Sequence, residues 1–185
     1  VQQAAKRLDG DALLAAAAQF GFGVDPAPGI PAVTSRVPAP SDRADLAAEA
    51  FGQGRVTASP LQMAMVAATV AEGRWRQPGL VAGEAAESGG SAPAEAPEPL
   101  DAKVAGTLRT LMRQVVTEGT AAPAGLPGKV GGKTGTAEFG TGDPLPTHAW
   151  FIGFRGDLAF AVVVEDGGVG GRVAAPAAAR FLRGL

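Results

Sequence analysis

The order of hydrophobic periods along these 185 residues implies an α+β fold, with helices first, then an antiparallel β-sheet packed against them, then one closing helix. Three observations carry that expectation. Apolar residues recur at helical spacing before the sheet, as in Val104, Leu108, Leu111 and Val115. Near Trp150 the period becomes two: Trp150, Ile152 and Phe154 alternate with Ala149, Phe151 and Gly153, as in a strand covered on both faces. Leu158 to Val164 is then an unbroken apolar run fit for a central strand, set off by the tight-turn signal Arg155-Gly156-Asp157.

Each element has its own start or stop signal. Val1 to Phe20 is alanine-rich and helix-prone, breaks at Asp9-Gly10-Asp11, and ends at Gly21. Five prolines between residues 24 and 40 favour an extended loop. Ala44 to Ala50 is a second helical unit, followed by the turn Phe51-Gly52-Gln53-Gly54. Ser59-Pro60-Leu61-Gln62 reads as a helix start, with Ser59 as cap, Pro60 in the first turn and Gln62 completing a capping box. That helix runs to Glu72, is nearly apolar all round, and should be buried. Residues 83–99, rich in Gly, Ala, Glu, Ser and Pro, read as a flexible surface excursion inside one domain. Asp101 caps the next helix and Gly119 ends it, while Pro176 to Leu185 forms the last, with Phe181 and Leu182 inward.

Composition removes several classes of function. The length suits one domain, and 46% hydrophobic content suits a globular one. A formal net charge of −2, with scattered charges, gives no reason to expect a nucleic-acid partner. There is no cysteine for a disulfide or thiolate site, and no run suited to crossing a bilayer. The chain opens on Val1 in apparent mid-helix, so it is expected to be a piece of a longer gene product.

Chemistry concentrates in Gly131-Gly132-Lys133-Thr134-Gly135-Thr136-Ala137-Glu138. Lys133 offers a positive charge, Thr134 and Thr136 offer hydroxyls, and Gly135 leaves room for a substrate backbone. An isolated Lys-Thr-Gly would mean little. A phosphate loop is the obvious competitor, but its first glycine would fall at Pro127, and strand signals follow where a helix is required.

Other segments decide the matter. Phe51-Gly52-Gln53-Gly54 with Thr57-Ala58-Ser59-Pro60-Leu61-Gln62-Met63-Ala64 resembles the Gly-Gln-Gly and Pro-Leu-Gln-Met-Ala segment of penicillin-binding transpeptidases. Val115-Val116-Thr117-Glu118-Gly119-Thr120-Ala121 is similar to their Val-Val-x-x-Gly-Thr-Ala segment, and His148 to Phe154 to their next strand. Lys-Thr-Gly is the third signature of these enzymes and of class A β-lactamases. The resemblance spans essentially the whole chain and points to the class B, monofunctional D,D-transpeptidases. It implies a serine that attacks a D-Ala-D-Ala stem peptide, an acyl-enzyme, and acylation by β-lactams. Lys133 would then set the electrostatics, and Thr134 and Thr136 would bind the carboxylate. The Thr136 N–H would be an oxyanion donor on a strand at the sheet edge. The family also implies an extracytoplasmic, membrane-anchored parent protein and no cofactor.

Two family signatures are missing. None of Ser35, Ser41, Ser59, Ser88 and Ser91 has a lysine three positions on, and the absence of asparagine excludes Ser-x-Asn. Residues 1–185 therefore read as the C-terminal part of a single transpeptidase domain, a partial fold lacking its N-terminal strands and nucleophile helix. Such a chain would be inactive alone, would need the N-terminal remainder of its domain, and would leave the flank of Leu158–Val164 unpaired. A serine β-lactamase relative and a non-catalytic module binding peptidoglycan peptides or β-lactams are the rivals. His148, the only histidine, reads as a structural or groove-edge group, and it lacks companion ligands for a metal. Glu138 and Glu165-Asp166 read as strand-end residues, and Gln53 as support for the floor of the site.

Overall fold

The computed structural model describes residues 8–80 and 96–185. Five helices and three strands follow one another as α1 (Gly10–Gln19), α2 (Arg43–Glu49), α3 (Pro60–Glu72), α4 (Ala102–Thr117), β1 (Gly131–Glu138), β2 (Thr147–Arg155), β3 (Leu158–Val164) and α5 (Ala174–Arg183). A short 3-10 turn, Ala122–Ala124, joins α4 to the sheet. The expected helix before Asp9 and most of the 83–99 excursion lie outside the described residues.

The sheet is antiparallel throughout, in the order β1-β2-β3. Its register runs from Gly131↔Phe154 to Glu138↔Thr147 on one side of β2, and from Ala149↔Val164 to Arg155↔Leu158 on the other. Gly156, at φ +57°, turns the β2–β3 hairpin. Helices cover both faces. Ala67 and Val70 of α3, with Met112 of α4, pack on Ile152, Phe154, Ala159 and Ala161. Ala174, Ala175, Ala178 and Leu182 of α5 pack on the opposite face against Ala149, Phe151 and Phe160. β2, the middle strand, thus has both faces covered, and so does β3. β3 has a central strand's composition but lies at an edge among the described residues.

The starts of the helices follow from their side chains. Asp9, Asp42, Ser59 and Asp101 each accept a bond from a first-turn backbone N–H. Gly73, at φ +86°, ends α3. The capping box is only half formed, however. Ser59 Oγ accepts from Gln62 N–H at 3.1 Å, but Gln62 Nε2 reaches away to Phe20 C=O at 2.7 Å. The Ser59 N–H donates instead to Ser35 Oγ at 2.9 Å. Buried Ser35 and Gln62 therefore tie the start of α3 to two preceding segments, so the tertiary partner displaced the local one.

Two faces differ from expectation. α4 buries Ala105, Met112 and Val116, while Val104 and Leu111 are about half exposed at 49% and 52%. The helical period holds, but the contacting stripe is offset by one residue from the row of largest side chains. In α5, Leu182 is buried, whereas Phe181 is 47% exposed and lays its ring beside Phe160 at 6.0 Å between centroids.

A candidate active-site strand at the sheet edge

β1 carries the signature, and its pleat divides it. Lys133 pairs with Ile152 on the α3/α4 face, and Thr134 pairs with Phe151 on the α5 face. Successive side chains of a strand point to opposite faces, so Lys133 and the two threonines flank the strand from either side. A ligand touching all three must therefore lie along the edge.

That edge is open where the chemistry requires it. A residue of an antiparallel strand directs its N–H and C=O to the same side. Thr136 C=O accepts from Gln53 Nε2 at 2.9 Å, and Glu138 N–H donates to Gln53 Oε1 at 3.3 Å. The next residue, Phe139, turns inward, its N–H donating to Pro146 C=O at 3.1 Å. Even-numbered residues of β1 thus face away from β2, and the N–H groups of Thr134 and Thr136 look onto the free edge. Lys133 Nζ donates to Thr134 C=O at 2.5 Å, which holds the ammonium against the same edge.

The hydroxyls are held by residues the sequence reading did not select. Thr134 Oγ1 lies 2.6 Å from Thr120 Oγ1, and Thr136 Oγ1 accepts from Gly170 N–H at 3.3 Å. Thr120 was visible only as part of a Gly-Thr-Ala segment. Gly170 gave no chemical signal at all. Its absence of a side chain is required, because a Cβ would stand 2.2 Å from Gly135 O and 2.5 Å from Trp150 O. Gly132 is constrained likewise, with a Cβ falling 2.3 Å from the Phe151 ring. At Gly135 a Cβ would meet the Trp150 Cβ at 3.2 Å, so this position is tight even before any ligand arrives.

Beside Lys133 lies an apolar trough of about 680 Å³, lined by Val66, Leu108, Leu111, Val115 and Ile152 among others. The exposed Leu111 of α4 belongs to this wall. His148 sits at the other end of β1, opposite Ala137. Its ring stacks on Phe139 at 3.9 Å and 6°, and Nδ1 accepts from Asp166 N–H at 3.2 Å. The second of these contacts occupies one of the two ring nitrogens.

The loop that delivers Gln53 is anchored by charge. Arg55 NH2 lies 3.0 Å from Glu49 Oε1 and 3.2 Å from Asp45 Oδ2, and donates to Ala39 C=O at 2.8 Å. The Glu49 side chain is only 1% exposed and makes no well-aligned hydrogen bond, so the guanidinium is its compensation. Asp45 accepts from Ser41 Oγ and from Ser41 N–H, and these bonds, with Arg55, hold its carboxyl below the usual aspartate range. Among the described residues, no cluster of three or more His, Asp or Glu could hold a metal ion.

The α+β sheet thus presents an ammonium, two hydroxyls and two outward N–H groups along one edge. Residues 1–183 match the family described as the penicillin binding protein transpeptidase domain, and the chain belongs to that family. It is 39% identical over 186 residues to the peptidoglycan D,D-transpeptidase PbpA of Mycolicibacterium smegmatis, covering 90% of this chain and 37% of that protein. The Mycobacterium tuberculosis PbpA is 35% identical over 189 residues, covering 92% and 38%. The chain thus spans less than two fifths of these relatives. The ceftriaxone acyl-enzyme complex of M. tuberculosis penicillin-binding protein A superposes with a TM-score of 0.76 at 33% identity, covering 92% of this chain and 42% of that one.

Proposed function

We propose that this chain is the carboxylate- and oxyanion-binding portion of a serine D,D-transpeptidase that cross-links peptidoglycan stem peptides and is acylated by β-lactams. The observation that carries this reading is the free edge of β1, with Lys133 on one side, Thr134 and Thr136 on the other, and the Thr136 N–H pointing outward between them. In the reaction, the hydroxyls of Thr134 and Thr136 and the Lys133 ammonium receive the terminal carboxylate of a D-Ala-D-Ala peptide. Thr136 N–H stabilises the developing oxyanion. One such donor contributes roughly 3 kcal/mol to the transition state.

The nucleophile is supplied by a Ser-x-x-Lys segment outside these 185 residues, because no serine here has a lysine three positions on. Its helix would pack in the apolar trough, which has Lys133 in its wall and would place the serine beside the β1 edge. A Ser-x-Asn segment would be supplied in the same way. The parent protein would work outside the cytoplasm and be membrane-anchored there. Among the described residues no helix is long and apolar enough to cross a membrane.

A fluorescent penicillin tests the reading directly. The full-length gene product should be labelled covalently and the 185-residue chain alone should not. Labelling of the isolated chain contradicts the assignment of an external nucleophile, and an unlabelled full-length protein contradicts the transpeptidase reading. Rapid turnover of the penicillin would instead favour a β-lactamase.

A further inference from the structure

Gln53 reaches β1 across 83 positions of sequence and binds it twice. Its carboxamide donates to Thr136 C=O at 2.9 Å and accepts from Glu138 N–H at 3.3 Å. These are the two outward groups that one residue of a parallel neighbouring strand would engage. The side chain therefore stands in for a strand at this point of the edge, just past the outward N–H of Thr136.

The loop presenting it is fixed independently of β1. Gly52 and Gly54 flank Gln53 at φ +81° and +70°, the left-handed region that favours glycine. Gly52 N–H donates to Glu49 C=O and Gln53 N–H to Ala48 C=O, each at 3.0 Å. Arg55 is held by Glu49, Asp45 and the Ala39 carbonyl, and beyond it Thr57 pairs with Arg36. A glutamine held this firmly sets the backbone it touches, rather than adapting to it.

We propose that Gln53 is a positioning residue that terminates the β1 edge. By tying Thr136 C=O and Glu138 N–H, it fixes the Thr136 backbone so that the Thr136 N–H points onto the open edge. It also occupies the next ladder position, so an extended ligand pairs with β1 only as far as Thr136. Gln53 touches no reacting atom, and its effect passes through Thr136. The inference rests on the transpeptidase reading for its catalytic consequence, but its structural half does not.

The test uses the full-length gene product with Gln53→Met, which keeps size without the bonds, and Gln53→Glu, which keeps only the acceptor. Amide hydrogen exchange at Glu138 and the binding and acylation steps with a fluorescent penicillin are measured separately. In Gln53→Met, Glu138 exchange should quicken and the acylation step should slow, each about tenfold, while the binding constant and melting temperature stay near wild type. In Gln53→Glu, Glu138 should remain protected while acylation slows, because the donor to Thr136 C=O is gone. Unchanged exchange and acylation in Gln53→Met overturn the proposal. So does a parallel fall in binding, acylation and melting temperature, which marks a merely structural residue. Failure of the wild type to label counts against the transpeptidase reading instead, and Glu138 exchange then judges Gln53 alone.

Discussion

The two edges of this sheet are built from opposite materials. β1 carries exposed Lys133 and Thr136 and half-buried Thr134, and its outward groups are partly closed by Lys133 Nζ and by Gln53. β3 reads Leu-Ala-Phe-Ala-Val-Val-Val without one polar side chain, and nothing among the described residues pairs with its outer side. An edge meant for a small ligand must resist indiscriminate pairing, so it is charged and leaves few open positions. An edge with no such protection is suited to permanent cover by further strands. The difference fits the proposed function, in which a ligand lies along β1 and further strands cover β3.

The comparison breaks most readily at the glycines in and beneath β1. Gly170→Ala drives a methyl into two backbone carbonyls, and Gly132→Ala drives one into the Phe151 ring. Each should destabilise the fold by roughly 1–3 kcal/mol or more, with Gly170 the worse because its closest contacts are all backbone, whereas Gly132 meets the Phe151 ring first and Ile152 O at 2.9 Å. Chemical denaturation of the purified variants measures this, and near-wild-type stability for Gly170→Ala would show that β1 is not packed as described. Arg55→Met should cost about 2 kcal/mol by leaving Glu49 buried without its partner, and adding Glu49→Gln should restore part of that loss.

The β3 side is sharpened by solution behaviour. The isolated 185-residue chain should self-associate through that bare apolar flank, whereas the full-length protein should not. Sedimentation of the two distinguishes them, and a stably monomeric fragment would remove the need for strands beside β3.

The smallest effect concerns acid. The Asp45 carboxyl is more acidic folded than unfolded, so its ion pair and Ser41 bonds contribute stability fully above the unfolded aspartate range. That contribution is lost as pH falls through the depressed folded value. Asp45→Asn should therefore flatten the acid limb of a stability profile slightly and change stability at neutral pH little.

Much of this architecture was legible in the sequence because local rules governed it. Ser59-Pro60 starts α3, Gly73 stops it, and the alternation around Phe151 made β2 a strand covered on both faces. Lys133, Thr134, Gly135 and Thr136 stand together in the sequence, and among the described residues their strand lies at the sheet edge, as the family resemblance implies. What stayed hidden depended on distant partners. Gln62 left its capping box for Phe20, and α4 buries Ala105, Met112 and Val116 while Leu111 stays half exposed beside the apolar trough. Thr120 and Gly170 have ordinary residue types, and their roles appear only when two remote loops meet beneath Thr134 and Thr136.

The most direct measurement is a crystal structure of the full-length gene product acylated by a β-lactam. The account predicts the drug's carboxylate at the hydroxyls of Thr134 and Thr136 and its acyl carbonyl oxygen within hydrogen-bond distance of Thr136 N–H. A covalent adduct whose carboxylate and carbonyl oxygen make no contact with β1 would contradict it.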